Sequence, residues 1–250
     1  MADFPFELMP DRAPQIGLIV LQNDESVEME LHRMMPPELE MLIGRVPSGR
    51  EVRPETLEPM AAALTEAAER FPLGMEFAAL GYACTSGTAH IGADRVAALV
   101  RDGVSAREVT EPVSALIAAC RALGVSRIGL ISPYVASVSE RLRLVLGRAG
   151  VEVAAFGSFN EPEEARVVRI SPGSIYEAAQ SLGNRADIEA LFLSCTNLRT
   201  LDVIDGLEAA LGFPVLSSNQ VLAWHLFGLA GGYAPSRAPG CLWSRAQVEW

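Results

Sequence analysis

Cys84 and Cys195 are the residues whose type and placement point most directly to chemistry. Cys84 stands in "GYACTSGT" and Cys195 in "FLSCTNL", each after a strand-like apolar run and before a helix-like one. In an open α/β sheet that junction, outside the carboxyl ends of the strands, is where ligands bind. The amides opening the next helix favour anions there and are expected to raise the ionised fraction of a thiol whose ordinary pKa is near ~8.5. Two thiols on opposite sides of one small molecule can act as a pair. One, as thiolate, attacks a carbon or removes a proton, and the other, as thiol, delivers a proton to the far face. That division of labour suits racemisation or cis–trans isomerisation with neither metal nor cofactor. Thr85, Ser86 and Thr88 would put hydroxyls beside the first thiol. Thr196 and Asn197 would put donors beside the second, to hold a carboxylate whose charge grows during reaction. Cys120, on the apolar face of "LIAACRAL", reads as a packed small hydrophobe, and Cys241, in a polar tail, as a bystander.

Other chemistries lack their residues. The 20 basic residues are all arginine, so a Schiff-base lysine and a P-loop are both excluded. The three histidines, His32, His90 and His225, show no HExxH or paired spacing, which argues against a histidine metal site. His90 follows the Cys84 loop and reads as a surface or core histidine rather than a partner of the thiol. A net charge of −11 repels phosphate backbones, so nucleic acid is not an expected partner. Half the residues are hydrophobic, the composition of a compact globular chain. No apolar run follows a basic start, and none approaches membrane-spanning length, so neither a secretory signal nor a membrane segment is expected. Four scattered cysteines with no CxxC pair read as reduced thiols in a cytoplasmic protein.

The elements that must position the thiols alternate along the chain. Strands are expected at 15–21, 40–46, 76–82, 127–133, 151–157, 188–194 and 213–217. Helices are expected at 26–35, 54–71, 88–102, 111–124, 137–150, 171–182, 198–212 and 219–232. Near-continuous apolar strands imply parallel sheets covered on both faces. "IGLI" occurs at 16–19 and again at 128–131, and a Cys-Thr pair closes a strand 68 residues after the first copy and 67 after the second. Such matched landmarks indicate a duplication. The expected fold is therefore α/β, with two pseudo-symmetric doubly wound parallel-sheet halves and the site between them. Residues 1–113 with 217–250 would form one half and 114–216 the other, the last strand and helix crossing back to the first. "NEPEEAR" (160–166) reads as a solvated acidic loop. Ser217, Ser218 and Asn219 read as a helix cap that also lines the cleft. The tail, with Trp243 and Trp250 exposed, reads as a candidate contact with another subunit.

At these segments a family resemblance emerges. "GLIVLQND", "GYACTSG", "ISPY", "VVRISPGSI", "LFLSCTNLRTLDVIDGLEAALGFPVLSSNQ" and "AWHLFGLAG" resemble the aspartate/glutamate racemase superfamily over residues 15–231. Within it the chain is similar to the branch of maleate cis–trans isomerases, arylmalonate decarboxylases and ectoine-utilisation proteins of the EutA type, the last above all through "LQND", "CTSG" and "SCTNLR". The resemblance implies a deep inter-domain site with Cys84 as nucleophile and Cys195 as proton donor. It implies that Tyr134, of the "PY" motif, and Asn160 bind substrate carboxylate. Decarboxylases of the branch keep only the second cysteine, so two thiols favour an isomerase or racemase. Where maleate isomerases carry an asparagine after the first strand, this chain has Asp24, with Asn23 beside it. A carboxylate there repels a dicarboxylate and welcomes an ammonium or amide. The implied substrate is a small carboxylate or amino-acid derivative, such as an N-acetylated diamino acid from ectoine breakdown. Asp24 also reads as the cap of helix 26–35. A homodimer or higher homo-oligomer is the superfamily expectation.

Overall fold

The computed structural model describes residues 1–9, 12–185, 187–235 and 237–245. The first sheet holds β1 (Gln15–Leu21), β2 (Glu40–Val46), β3 (Glu76–Ala83) and β4 (Ser105–Thr110) in the order β2-β1-β3-β4. The second holds β5 (Arg127–Ser132), β6 (Glu152–Ser158), β7 (Ala190–Leu193) and β8 (Val215–Ser217) in the order β6-β5-β7-β8. All six strand pairs are parallel. The second sheet therefore repeats the first strand for strand, and the sequence repeat sits at matching places in both. Gly17 pairs with Leu80, and Gly129 pairs with Leu191. In each copy that leucine covers the glycine: a Cβ on Gly17 would lie 2.8 Å from Leu80 Cδ1, and one on Gly129 2.9 Å from Leu191 Cδ1. The glycine of "IGLI" is thus a packing requirement met twice.

Between the strands of the first half lie α1 (Val27–Met34), α2 (Pro54–Glu69), α3 (Thr85–Ile91) and α4 (Ala93–Gly103), and α5 (Pro112–Leu123) follows β4. The second half carries α6 (Ala136–Arg148), α7 (Glu164–Val167), α8 (Pro172–Gly183), α9 (Leu201–Leu211), α10 (Ser218–Leu229) and α11 (Leu242–Arg245). Local chemistry sets their ends. Ser171 accepts from Ser174 N–H at 3.1 Å and Pro172 opens α8, as a Ser-Pro start requires. Glu111 accepts from the Val113 and Ser114 amides to start α5, which stops at Gly124 in the left-handed region.

The last helix of each half packs on the opposite half. In α5, Ala115, Leu116, Ala119 and Cys120 share a core with Ile128, Leu130 and Phe192 of the second sheet. Helix α10 lies on β3 and β4, with Leu222 and Leu226 reaching Gly81. The two helices also pack on each other.

Four expectations change. The last strand stays in the second sheet, where Val215–Ser217 pairs with Leu191–Leu193, and only α10 crosses. Its counterpart β4 is a further strand, hidden in the sequence because "SAREVT" is polar and half exposed at a sheet edge. The helix expected at 88–102 is two helices broken at Gly92, whose φ of 96° no helix tolerates. The tail folds on its own chain. Cys241 N–H donates to Glu208 at 2.8 Å, Leu242 is buried, and half-buried Trp243 packs near Phe227; Trp250 lies outside the described residues.

Because α10 belongs to both cores, the halves are expected to unfold together. Leu222→Ala removes a fully buried side chain on the first-half side, at a cost of about 2–5 kcal/mol. Urea unfolding followed by tryptophan fluorescence, to which Trp224 in the second-half core contributes, should shift as far as unfolding followed by far-UV circular dichroism. Two separated transitions would show the halves to be independent.

Candidate active site

The ends of β3 and β7 bring one cysteine from each half to a shared polar cluster. Cys84 caps α3, and its sulfur accepts from Gly87 N–H at 3.1 Å. Gly87 must stay bare: a Cβ there would lie 2.8 Å from that sulfur and 2.7 Å from the Tyr82 hydroxyl. The Tyr82 hydroxyl is buried beside the Cys84 sulfur and, as a donor toward it, works against the rise in its pKa.

Cys195 has a φ of 131°, a region that side-chain-bearing residues rarely occupy and that persists where surroundings enforce it. Here its N–H donates to Ser218 Oγ at 2.9 Å, and its sulfur accepts from Asn197 N–H at 3.3 Å. The same sulfur is 2.9 Å from the Tyr134 hydroxyl, which donates to Glu164 Oε1 at 2.8 Å. A phenol has one hydrogen. With that hydrogen on Glu164, the Cys195 thiol is the donor to Tyr134. A relay therefore runs from Cys195 through Tyr134 to Glu164, whose other oxygen accepts from Asn197 Nδ2 at 2.6 Å.

Hydrogen bonds join the halves around the sulfurs. Thr85 Oγ1 meets Ser218 Oγ at 2.8 Å, and Thr196 Oγ1 donates to Ala83 O at 3.3 Å. Asn197 Oδ1 accepts from Glu25 N–H at 2.9 Å, and its Nδ2 approaches Asn23 O at 3.4 Å. Beside Glu164, Val52 N–H donates to Pro162 O at 3.0 Å and Glu164 N–H to Arg50 O at 3.0 Å, pairing a loop from each half. Asp24 Oδ1 caps α1 through the Ser26 and Val27 amides at 2.9 Å each, while Oδ2 is buried with no donor in hydrogen-bond geometry.

Of the residues singled out from the sequence, Cys84, Cys195, Asp24, Thr85, Tyr134, Thr196 and Asn197 belong to this network. Asn23 lies beside it with its side-chain amide committed to Ser48 O and Gly49 O. Ser86 is half-buried in the first turn of α3. Asn160 is exposed, in the left-handed region, with its N–H on Ser158 Oγ. His90 faces away from the thiol, 3.7 Å from Glu58. Ser217 caps α10 by accepting from Gln220 N–H, and Ser218 instead holds Thr85 and the Cys195 amide together. Among the described residues no three His, Cys, Asp or Glu side chains are grouped to hold a metal ion.

Glu164 is the residue the sequence reading missed. The acidic loop is solvated at Glu161, which pairs with Arg166, but its one-turn helix α7 turns Glu164 inward. The available signal was Val167, three residues on and fully buried, which puts Glu164 on the same inward face.

Electrostatics corrects the expectation of an ionised thiol. Burial pushes Cys84 up to about 12, outweighing the Gly87 amide, and the Glu164 and Asp24 charges push the same way. Burial likewise raises Cys195 well above the usual thiol range, again with Glu164 and Asp24 adding to it. Glu164 itself is raised by burial to about 7, against the lowering effect of Asn197 and Tyr134. Burial raises Asp24 too, against the amides that cap α1.

These features define a two-sheet, pseudo-symmetric α/β protein with a thiol from each half at one buried polar cluster. The family model described as arylmalonate decarboxylase matches residues 105–243, more than half of the chain, and the chain belongs to that family, in the maleate isomerase/arylmalonate decarboxylase branch of the aspartate/glutamate racemase superfamily. It is 32% identical to arylmalonate decarboxylase of Bordetella bronchiseptica over a stretch covering 51% of this chain and 53% of that one. It is 28% identical to maleate isomerase of Nocardia farcinica over 85% and 88% of the two chains. A double mutant of arylmalonate decarboxylase in its liganded form superposes with a TM-score of 0.82 at 27% identity, covering 92% of this chain and 98% of that one. No helix is long and apolar enough to cross a membrane among the described residues.

Glu164 makes stability depend on pH in a defined direction. Unfolded, it ionises near its ordinary 4.5; folded, near 7. Its contribution is full below pH 4.5 and is lost as pH rises through 7, by on the order of 3 kcal/mol. Urea unfolding at pH 4.5 and pH 8 should therefore show Glu164→Gln gaining stability relative to wild type as pH rises. An unchanged difference between the two proteins would mean that folding leaves the Glu164 pKa where it is in the unfolded chain.

Proposed function

We propose that this chain is a cofactor-independent isomerase or racemase that works on a small carboxylate or amino-acid derivative through Cys84 and Cys195. The observation that carries this reading is a sulfur from each half at one buried cluster, with the Cys195 sulfur also tied through Tyr134 to a carboxyl group. The Cys84 sulfur receives an amide hydrogen, which suits a nucleophile or base. Cys195 is linked through Tyr134 to Glu164, so that a protonated Glu164 reloads the sulfur through the phenol after Cys195 has given its proton to the ligand.

In racemisation the Cys84 thiolate takes the Cα proton, and the electron pair left on carbon spreads into the adjoining carboxylate. Cys195 then gives its proton to the opposite face and becomes the thiolate. In cis–trans isomerisation the Cys84 sulfur bonds to one alkene carbon and the π electrons move into the carboxylate on the other. Rotation about what is now a single bond, followed by loss of the sulfur, gives the trans product. Either course needs Cys84 ionised, a state that donors or positive charge on the ligand would favour.

The shared segments with ectoine-utilisation proteins support an amino-acid-derived substrate in ectoine breakdown, and four free cysteines support a cytoplasmic setting. The similarity to arylmalonate decarboxylase favours a second reading, decarboxylation of a disubstituted malonate, against which the first thiol counts.

Incubation with amino-acid derivatives in D2O, followed by NMR, separates the two. Uptake of deuterium at Cα is expected in wild type and should fall at least a hundredfold in both Cys84→Ala and Cys195→Ala. Normal exchange in both variants would exclude the paired-thiol mechanism. Release of CO2 from malonates that survives Cys84→Ala would replace it with decarboxylation.

A further inference from the structure

We infer that Asp24 and Glu164 together form a recognition site for a cationic nitrogen, so that the ligand held between the two thiols carries an ammonium group. The inference deepens the two-thiol reading, on which the place of the ligand rests. Both carboxyls are buried, 4% and 3% exposed. The Asn197 amide gathers them: it accepts from Glu25 N–H, approaches Asn23 O on the other side of Asp24, and donates to Glu164 Oε2. Asp24 uses Oδ1 to cap α1 and leaves Oδ2 buried, near the Thr196 hydroxyl but with no donor in hydrogen-bond geometry. A buried acceptor without a donor is costly and rare in folded chains, and it marks a place where a ligand donor fits.

Among the described residues the one cation near these oxygens is Arg45, whose charge is felt by Asp24 but which hydrogen-bonds to neither carboxyl group. Among the described residues no basic side chain hydrogen-bonds to either carboxyl group. Arg45 spends its guanidinium on Glu28 and on the carbonyls of Leu21, Gln22 and Asp24, and Arg166 is held by Glu161. A ligand anion placed there would add negative charge to a dry, acidic space, whereas an ammonium brings three N–H donors and a positive charge. The same positive charge favours ionisation of the neighbouring thiols. Recognition of the amino group and activation of Cys84 then become one event, and a hydroxy acid of the same shape leaves the thiol protonated.

Matched pairs that differ only in this group test the inference: 2-aminobutyrate against 2-hydroxybutyrate, and aspartate against malate. Affinity is read from ligand-dependent thermal stabilisation. In wild type the amino acid of a pair is expected to bind at least tenfold more tightly. Asp24→Asn keeps an oxygen to cap α1, so the free protein should melt near the wild-type temperature while the preference falls at least tenfold. Glu164→Gln should reduce it too. Equal binding within both pairs, binding by neither amino acid, or a preference unaltered in both variants would overturn the inference. The Cα–H exchange assay keeps the two readings apart. An ammonium preference without exchange removes the thiol mechanism alone, and exchange on the hydroxy acids at equal affinity removes the ammonium site alone.

Discussion

Four acid groups, the thiols of Cys84 and Cys195 and the carboxyls of Asp24 and Glu164, are buried within reach of one another's charge, and the one cation among the described residues that bears on them, Arg45, acts on Asp24. Burial disfavours every one of their charged forms, and each charge that does form disfavours the next. Burial therefore favours the protonated forms of the cluster, and Glu164, near 7, is the group that exchanges its proton most readily around neutrality. The surrounding hydrogen bonds follow from this constraint. Asn197 and Tyr134 both donate to Glu164, and backbone amides serve Asp24 and both sulfurs. The donors are neutral dipoles fixed by the fold, which stabilise developing charge without quenching it as a resident arginine would.

Holding such a cluster in place requires two halves that cannot drift. The exchanged helices α5 and α10 supply the bulk of that restraint, because each fills a core belonging to the opposite sheet. Finer restraint comes from Ser218 at the start of α10, which holds Thr85 next to one thiol and the Cys195 amide next to the other. Backbone strain of the kind shown at Cys195 costs about 1–3 kcal/mol where it occurs. Three contacts on that residue, through Ser218, Asn197 and Tyr134, oppose its relaxation.

The parts legible in the sequence were those set by local pattern. "IGLI" and the Cys-Thr pairs marked the duplication because strand ends and packing glycines repeat in one dimension as they do in three. Most helices and central strands were visible for the same reason, their apolar runs being long and their caps ordinary. Edge strand β4 was not, because half of its residues face solvent and "SAREVT" carries no apolar run. Glu164 was hidden by its neighbours, since a charge run in a loop is usually solvated and only Val167 betrays the turn inward. The raised thiol pKa values had no local signature either. A helix start speaks for ionisation, and only the assembled fold reveals that burial outweighs it.

Duplication explains where the thiols are, and divergence explains why they differ. Both follow the third strand of a half, both are followed by threonine, and both sulfurs accept a nearby backbone amide. Beyond that the surroundings part. Cys84 has a tight glycine turn and the Tyr82 hydroxyl at its side, two donors that favour its thiolate. Cys195 has a tyrosine shared with Glu164, a carboxyl-backed relay through which its proton is exchanged. A pair of equal thiols would have no preferred direction for proton flow. Here Tyr134 and Glu164, both from the second half, break the equality, and the direction of any transfer across a bound molecule follows from which sulfur they serve.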